Sequence, residues 1–329
     1  MSLALLLLLI AALTPWGCKL PASPAGKRDY RQDMRDFVQS ISAYARQRDD
    51  NFIIFIQNGH EILTQNGRAD GPLIPALVDA IDGVARESLF YGYHGDDLLT
   101  PADACENMLS FTNTARRHGL EVLVVDYCAT RSLVDDSYAR NAAREYLSFA
   151  ADHRALNQVP AYPPTPYKAH AADVAALGEA QNFLYLINPD RFPDKKTYIQ
   201  ALQSTDYDLL IVDLFYHCEP LSAAEVATLK RKANGGTRLV VAYLSMGEAE
   251  DYRYYWEPVW IVEPPAWLAA ENPSWPGNYK VRYWDENWQG IIYGNEDSYA
   301  QKILRAGFDG VYLDIIDAFD YFEQQAKQP

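Results

Sequence analysis

Eight short apolar segments recur between residues 51 and 315, most of them separated from the next by a stretch long enough for a helix. They are Asn51–Gln57, Ser88–Tyr93, Glu121–Cys128, Asn182–Ile187, Asp208–Phe215, Arg238–Leu244, Lys280–Trp284 and Gly310–Ile315. Alternation of this kind pairs strands in parallel through right-handed crossovers. Eight such units fit an α/β fold of the (β/α)8 TIM barrel type. A doubly wound open sheet is the alternative, but no GxGxxG follows an early strand and no phosphate-binding loop is present to favour it.

Helix-like sequence fills the intervals at Leu73–Arg86, Thr100 to about His118, Ser137–Ala155, Lys195–Ser204, Ala223–Ala233 and Asn295–Ala306. Thr100 reads as an N-cap ahead of Pro101 at the first helical position, and Gly119 as the residue that closes that helix. The proline-rich segment 157–171 reads as loop and is the only visible break between two halves. Residues 51–329 are thus expected to form a single barrel domain. Residues 27–50 precede it as a linker and an outer helix over Tyr30–Tyr44, and residues 1–26 as a leader. Within that leader, residues 3–13 (LALLLLLIAAL) have the length of a signal-peptide apolar region. Cys18 after Gly17 resembles a lipoprotein site, which would tether the chain to a membrane; cleavage after Ala25 and an uncleaved anchor are the alternatives. The expected location is therefore extracellular or periplasmic.

In parallel α/β folds ligands bind beyond the carboxyl ends of the strands. Asp126 ends the third expected strand, Asp213 the fifth and Asp314 the eighth, while Glu248 lies just past the sixth in LVVAYLSMGEAEDYRYYW (239–256). A carboxylate within an apolar strand must be hydrogen-bonded, paired or in a wet cavity, so each of these acids has a structural reading beside a catalytic one. Their common position favours a carboxylate-based site. Tyr243, Tyr252, Tyr254, Tyr255 and Trp256 cluster near Glu248, and Trp260, Trp267, Trp275, Trp284 and Trp288 follow. Many of these rings serve packing, yet aromatics beside acids suit sugars, whose apolar faces stack while their hydroxyl or ammonium groups donate to carboxylates. Paired carboxylates are also the equipment of glycoside hydrolysis.

A net charge of −15 argues against a nucleic-acid partner. Hydrophobic residues at 49% exclude a disordered chain. Beyond Cys18, Cys105, Cys128 and Cys218 allow at most one internal disulfide and are expected to be buried free thiols. No GxSxG or HExxH occurs, and no cofactor or structural metal is expected. His60, His94 and His217 follow expected strands, which keeps a metal-dependent hydrolase open as a minor alternative.

Four blocks, YDLLIVDLF (207–215), VVAYLSMGEAEDYRYYW (240–256), NPSWPGNYKVRYWDENWQGII (272–292) and GFDGVYLDIIDAF (307–319), resemble those of glycoside hydrolase family 114, the endo-α-1,4-polygalactosaminidase-like (β/α)8 proteins. The resemblance extends over roughly residues 50–322, with FIIFIQNGHEIL and VLVVDYCATRSLVDDSYARNAAREYLSFA similar to an extracellular branch of that group. That branch has also carried a name linking it to cysteinyl-tRNA synthetase, but the chain has neither HIGH nor KMSKS and is acidic. The resemblance implies hydrolysis of an α-1,4-linked, galactosamine-rich polysaccharide, with Asp213 and Glu248 as the catalytic carboxylates. It also implies that Asp126, Tyr243, Asp314 and Asp317 contact substrate or support the groups that do. Tyr127, Tyr254 and Trp284 join them as candidate substrate-binding aromatics. A non-catalytic carbohydrate-binding protein that keeps the barrel mouth is the second reading.

Overall fold

A computed structural model describes residues 28–327. Eight parallel strands form one sheet: β1 (Ile53–Gln57), β2 (Gly83–Glu87), β3 (Glu121–Tyr127), β4 (Leu147–Ala151), β5 (Phe183–Leu186), β6 (Leu209–Asp213), β7 (Leu239–Ser245) and β8 (Gly310–Asp314). Their order, β4-β3-β2-β1-β8-β7-β6-β5, is that of a barrel, with β4 and β5 lying side by side at the seam. Most strands are apolar on both faces, so one face of the sheet meets the outer helices while the other fills the interior. Phe55, Tyr185 and Tyr312 meet inside, with ring centroids 6.2 Å (Phe55 to Tyr312) and 5.1 Å (Tyr185 to Tyr312) apart.

The barrel contains eight strands as expected, but two of them are not the expected ones. Leu147–Ala151 is β4, inside the stretch read as one helix over Ser137–Ala155. That helix occupies Arg131–Ala142, and Glu145, at a φ of 59°, breaks the chain out of it. Conversely, Lys280–Trp284 does not enter the barrel. Residues Asn278–Val281 are instead the central strand of a small antiparallel sheet, between Glu248–Glu250 and Leu268–Glu271. This sheet is inserted after β7 and stands beside the mouth. The second strand is Gly83–Glu87 rather than Ser88–Tyr93, so the helix expected over Leu73–Arg86 shrinks to Pro75–Val78. Asp213 therefore ends the sixth strand and Glu248 follows the seventh. The third helix start is also built differently: helix Ala102–Arg117 has no side-chain cap, and the Thr100 hydroxyl donates to the Ser88 carbonyl at 2.8 Å instead.

The first helix, Tyr30–Arg46, begins at Asp29, whose carboxylate accepts the Gln32 N–H at 3.0 Å. Met34, Phe37, Val38 and Ile41 recur on one face and are fully buried. They belong to the same hydrophobic core as the barrel. Cys105 and Cys128 are buried free thiols, whereas Cys218 is exposed. The leader, with residues 3–13, Cys18 and Ala25, lies outside the described residues. No helix among the described residues is long and apolar enough to cross a membrane.

Candidate active site

A cavity of about 600 Å³ opens at the carboxyl ends of the strands, and all eight strands or the loops after them contribute to its lining. Three neighbouring strands set its floor in the same way. Each ends on an inward side chain, Gln57 on β1, Glu87 on β2 and Asp314 on β8. The next residue in each case, Asn58, Ser88 or Ile315, lies at positive φ (55°, 56° and 62°). The left-handed turn swings the backbone away and leaves the last side chain pointing at the cavity. For a β-branched residue such as Ile315 this conformation costs on the order of 1–3 kcal/mol.

The cavity brings together Asp213, Glu248, Tyr127, Tyr243, Asp314 and Asp317. Asp213 is held by Arg253, which donates from its two terminal nitrogens at 2.9 Å and 2.7 Å, and by the Phe215 N–H at 2.7 Å. The same guanidinium grips Glu250 at 2.6 Å, and the Tyr252 hydroxyl donates to Glu250 at 2.5 Å. Burial pushes the Asp213 carboxyl up, and Arg253 opposes that rise. Glu248 faces Lys280 directly across the small sheet, which is why the two form an ion pair. Its Oε1 also accepts from the Asn272 side-chain amide at 2.9 Å, while Oε2 is buried and has no partner among the described residues. Gly247 makes this placement possible: a Cβ there would sit 2.2 Å from the Ile315 carbonyl oxygen. Only a bare backbone can pass so close beneath the end of β8.

Asp314 accepts from the Tyr243 hydroxyl at 2.9 Å and from the Ile315 N–H at 2.7 Å. Burial, then the neighbouring Glu87, hold its carboxyl well above the usual carboxylate range. Asp317 keeps solvent contact but lies within the concavity, and burial pushes it up to about 6. Tyr127 donates to Glu87 and carries the Arg154 guanidinium 4.0 Å above its ring.

Three of the sequence candidates lie outside the cavity. Asp126 precedes the inward Tyr127, so the strand pleat turns it outward. There it is fully buried and accepts from Phe90 N at 2.8 Å, Tyr91 N at 3.2 Å, Ser137 Oγ at 2.7 Å and Asn141 Nδ2 at 3.3 Å. Four donors make it a peg between the loop after β2 and helix Arg131–Ala142. Tyr254 stacks on Phe215 at 5.5 Å and donates to the Asp297 carbonyl at 3.1 Å. Trp284 packs between Tyr30 at 5.1 Å and Phe322 at 4.7 Å, fastening the first helix to the last. Sequence reasoning in turn omitted Glu87, Glu250, Arg253 and Lys280, because each sits in a short or polar element with no run of apolar residues to mark it. The histidines do not converge: His60 is buried with Nε2 3.0 Å from the Ala85 carbonyl, and His217 stands on the rim. Among the described residues no group of His, Cys, Asp and Glu side chains has the geometry to hold a metal ion.

Comparison with known proteins adds the family. The chain is 44% identical over 125 residues to an uncharacterized protein of Deinococcus radiodurans, covering 38% of each chain. It is 39% identical over 129 residues to one of Methanocaldococcus jannaschii, covering 38% of this chain and 35% of the relative. A Thermotoga maritima protein, also uncharacterized, shares 36% over 124 residues, 38% of this chain and 37% of the relative. The chain thus spans little more than a third of the length of the curated relatives it matches. Residues 164–328, half of the sequence and the part that carries Asp213, Glu248, Asp314 and Asp317, match the profile of the glycoside hydrolases called GH114. The chain belongs to glycoside hydrolase family GH114.

Proposed function

We propose that the protein is an exported glycoside hydrolase that cleaves an amino-sugar polysaccharide, an α-1,4-linked, galactosamine-rich polymer, with Asp213 and Glu248 as its principal carboxylates. The observation that carries this reading is that both groups line one cavity at the carboxyl ends of the strands, where among the described residues seven acidic side chains share the lining with two arginines and Lys280 pairs with Glu248. That charge balance suits a deacetylated, cationic sugar, and two carboxylates flanking a glycosidic bond are what its hydrolysis requires. The apolar run at residues 3–13 supports export, and Cys18 supports a lipid tether.

The test is product analysis by mass spectrometry after incubation with a panel of amino-sugar polysaccharides, acetylated and deacetylated. Shortened galactosamine oligomers are the expected product; cleavage of neutral polymers only would overturn the substrate class. One observation favours the second reading, a carbohydrate-binding protein without catalysis: Asp213 and Glu248 each already engage a cation, Arg253 and Lys280. Saturable binding of galactosamine oligomers with no product over days would decide for it. Fractionation of cells expressing the full chain and its Cys18→Ala variant tests the tether.

A further inference from the structure

We propose, on the glycoside hydrolase reading above, that Arg253 is a positioning residue for cleavage: the insert after β7 delivers one buried guanidinium that fixes how the Asp213 carboxylate faces the cavity, with Glu250 as its second anchor. A guanidinium has two edges that can fork onto a carboxylate, and each is taken here by a different acid. The two terminal nitrogens donate to the two oxygens of Asp213, at 2.9 Å to Oδ1 and 2.7 Å to Oδ2. Nε and one terminal nitrogen donate to Glu250, at 2.6 Å and 3.3 Å. Two forks on one planar group set its plane from both sides, which a lysine ammonium could not reproduce. The Tyr252 and Tyr299 ring centroids lie 5.1 Å and 5.6 Å from it, and the Arg253 side chain is only 5% exposed. Its backbone is held as well: the Arg253 N–H donates to the Glu250 carbonyl at 3.1 Å, and the Trp256 N–H donates to the Arg253 carbonyl at 3.0 Å.

This grip leaves the two oxygens of Asp213 unequal. Oδ1 accepts from the Phe215 N–H at 2.7 Å and the Tyr299 hydroxyl at 3.5 Å as well as from Arg253. Oδ2 has Arg253 alone among the described residues. Oδ2 is therefore the oxygen with a lone pair left for a bound sugar. The terminal torsion of an aspartate is broad, so contacts to Oδ1 alone would leave the carboxylate plane loosely set. Arg253, by holding both oxygens, decides which one is presented.

The same contact balances charge. Facing Asp213 are Arg253, Glu250 and Tyr252 from the insert, Tyr299 from helix Tyr299–Ala306 and Tyr198 from helix Lys195–Gln203. Burial pushes Asp213 up, Arg253 opposes the rise and Glu250 adds to it. Without Arg253 two buried acids would share a corner with no cation between them, and Asp213 would rise further; without the Glu250 charge it would fall. The two substitutions thus act on Asp213 with opposite signs. A staple that merely fastened the insert to the barrel would not behave so, because both substitutions break the same staple.

Kinetics and spectroscopy on the full chain test this. Arg253→Lys keeps a cation but loses the fork, and should lower kcat on a galactosamine polymer by about 10²-fold, the cost of a misplaced reacting group, with KM within about 2-fold of wild type. Arg253→Met should lower kcat at least as far and shift one limb of the kcat/KM profile to higher pH, while Glu250→Gln should shift the same limb to lower pH. Wild-type kcat in Arg253→Lys, or shifts of the same sign in Arg253→Met and Glu250→Gln, would overturn the proposal. Infrared difference spectra against the matching Asp213→Asn chain, followed through pH, read the carboxylate without substrate. Asp213 should ionise at higher pH in the Arg253→Met background and at lower pH in the Glu250→Gln background than in wild type, and equal midpoints would overturn the proposal. Arg253→Lys and Glu250→Gln both keep a cation at this junction and carry the test if Arg253→Met does not fold. Because the spectra need no substrate, they judge Arg253 separately from the galactosamine reading, which fails instead if the wild type cleaves no amino sugar.

Discussion

The two ends of the barrel use aspartate in opposite ways. At the amino end, Asp82, Asp208 and Asp309 each sit one residue before a strand, accept a backbone N–H from a neighbouring segment and bind a cation. The N–H donors are Ile54 at 2.7 Å, Gln181 at 2.9 Å and Val240 at 2.8 Å, and the cations are Arg46 at 2.8 Å, Lys232 at 2.9 Å and Lys230 at 2.6 Å. Arg238 completes this floor by donating to the carbonyls of Leu202, Thr205, Leu229 and Arg231. Every charge there is matched or saturated. At the carboxyl end the acids lining the cavity outnumber the arginines, burial and the neighbouring Glu87 push the Asp314 carboxyl up, and among the described residues one oxygen of Glu248 has no hydrogen-bond partner. Matched charge fixes strand ends in place; unmatched charge around a cavity is a demand for a ligand.

Breaking each end separately should give opposite phenotypes. At the mouth, Asp213→Asn or Glu248→Gln should remove cleavage by about 10³-fold or more while the chain still folds, since Arg253 keeps Glu250 as its partner and Lys280 reaches solvent. A large loss of stability in either variant would mean that the mouth is structural. At the floor, Lys232→Met should cost about 3–5 kcal/mol, because Asp208, whose side chain like that of Lys232 is fully buried, would lose its lysine and keep only the Gln181 N–H, the Asn182 amide and the His170 ring beside it. The Lys232 ammonium also donates to the carbonyls of His170 and Ala172, so the segment before β5 should loosen with it. Chemical denaturation measures the loss, and kcat below the transition should not change.

A milder probe is pH. Asp317 is pushed up to about 6 by burial, against an unfolded value of 3.8. The folded state therefore holds this proton where the unfolded chain has lost it, and folding loses stability from this group as pH rises between those two values. Over the same interval the cavity gains one negative charge, so KM for a cationic oligomer should fall as pH rises through about 6. Asp317→Asn should flatten both trends. A KM that rises with pH in the wild type would contradict a cationic substrate.

How much of this was legible beforehand follows from what each element shows in one dimension. The strands β3, β5, β6, β7 and β8 are apolar on both faces, so their runs are unmistakable. The strand β2, with the sequence GVARE, has few apolar residues and ends on the charges that serve the mouth, and β4 follows a helix with neither glycine nor proline between them. For that reason β2 is expected five residues too late and β4 is read as part of the helix before it. The site divides similarly. Asp213 and Glu248 are marked by the apolar runs before them, and the cavity does unite them. Asp126 carries the same mark, yet a pleat of one residue decides whether a side chain faces the cavity or the helices, and strand ends cannot be read to that accuracy. Arg253, Glu250 and Lys280 lie in the insert after β7, where cross-strand register rather than local pattern brings Lys280 opposite Glu248.

The smallest expected effect concerns the aromatics, which sequence could count but not sort. Trp288 is fully buried and donates to the Met246 carbonyl at 2.9 Å; it is core. Trp275 lines the cavity, is 51% exposed, and stands on the turn between Leu268–Glu271 and Asn278–Val281. Its backbone is pinned on both sides, by Asn272 O at 3.1 Å and Asn278 N at 3.1 Å, and among the described residues no aromatic ring packs on it. Tyr252, equally exposed, is tied down by its bond to Glu250. A free ring face on a fixed backbone is a place for a sugar to stack, with a gain of about 0.5–1.5 kcal/mol by analogy with aromatic pairs. Trp275→Ala should thus raise KM by roughly 2- to 10-fold for oligomers long enough to reach the rim, leave kcat unchanged, and have no effect on the shortest ones. A KM increase that is independent of oligomer length would place the effect of Trp275 on the loop instead, and Trp288→Ala, which should destabilise the protein at every substrate length, is the control that separates the two.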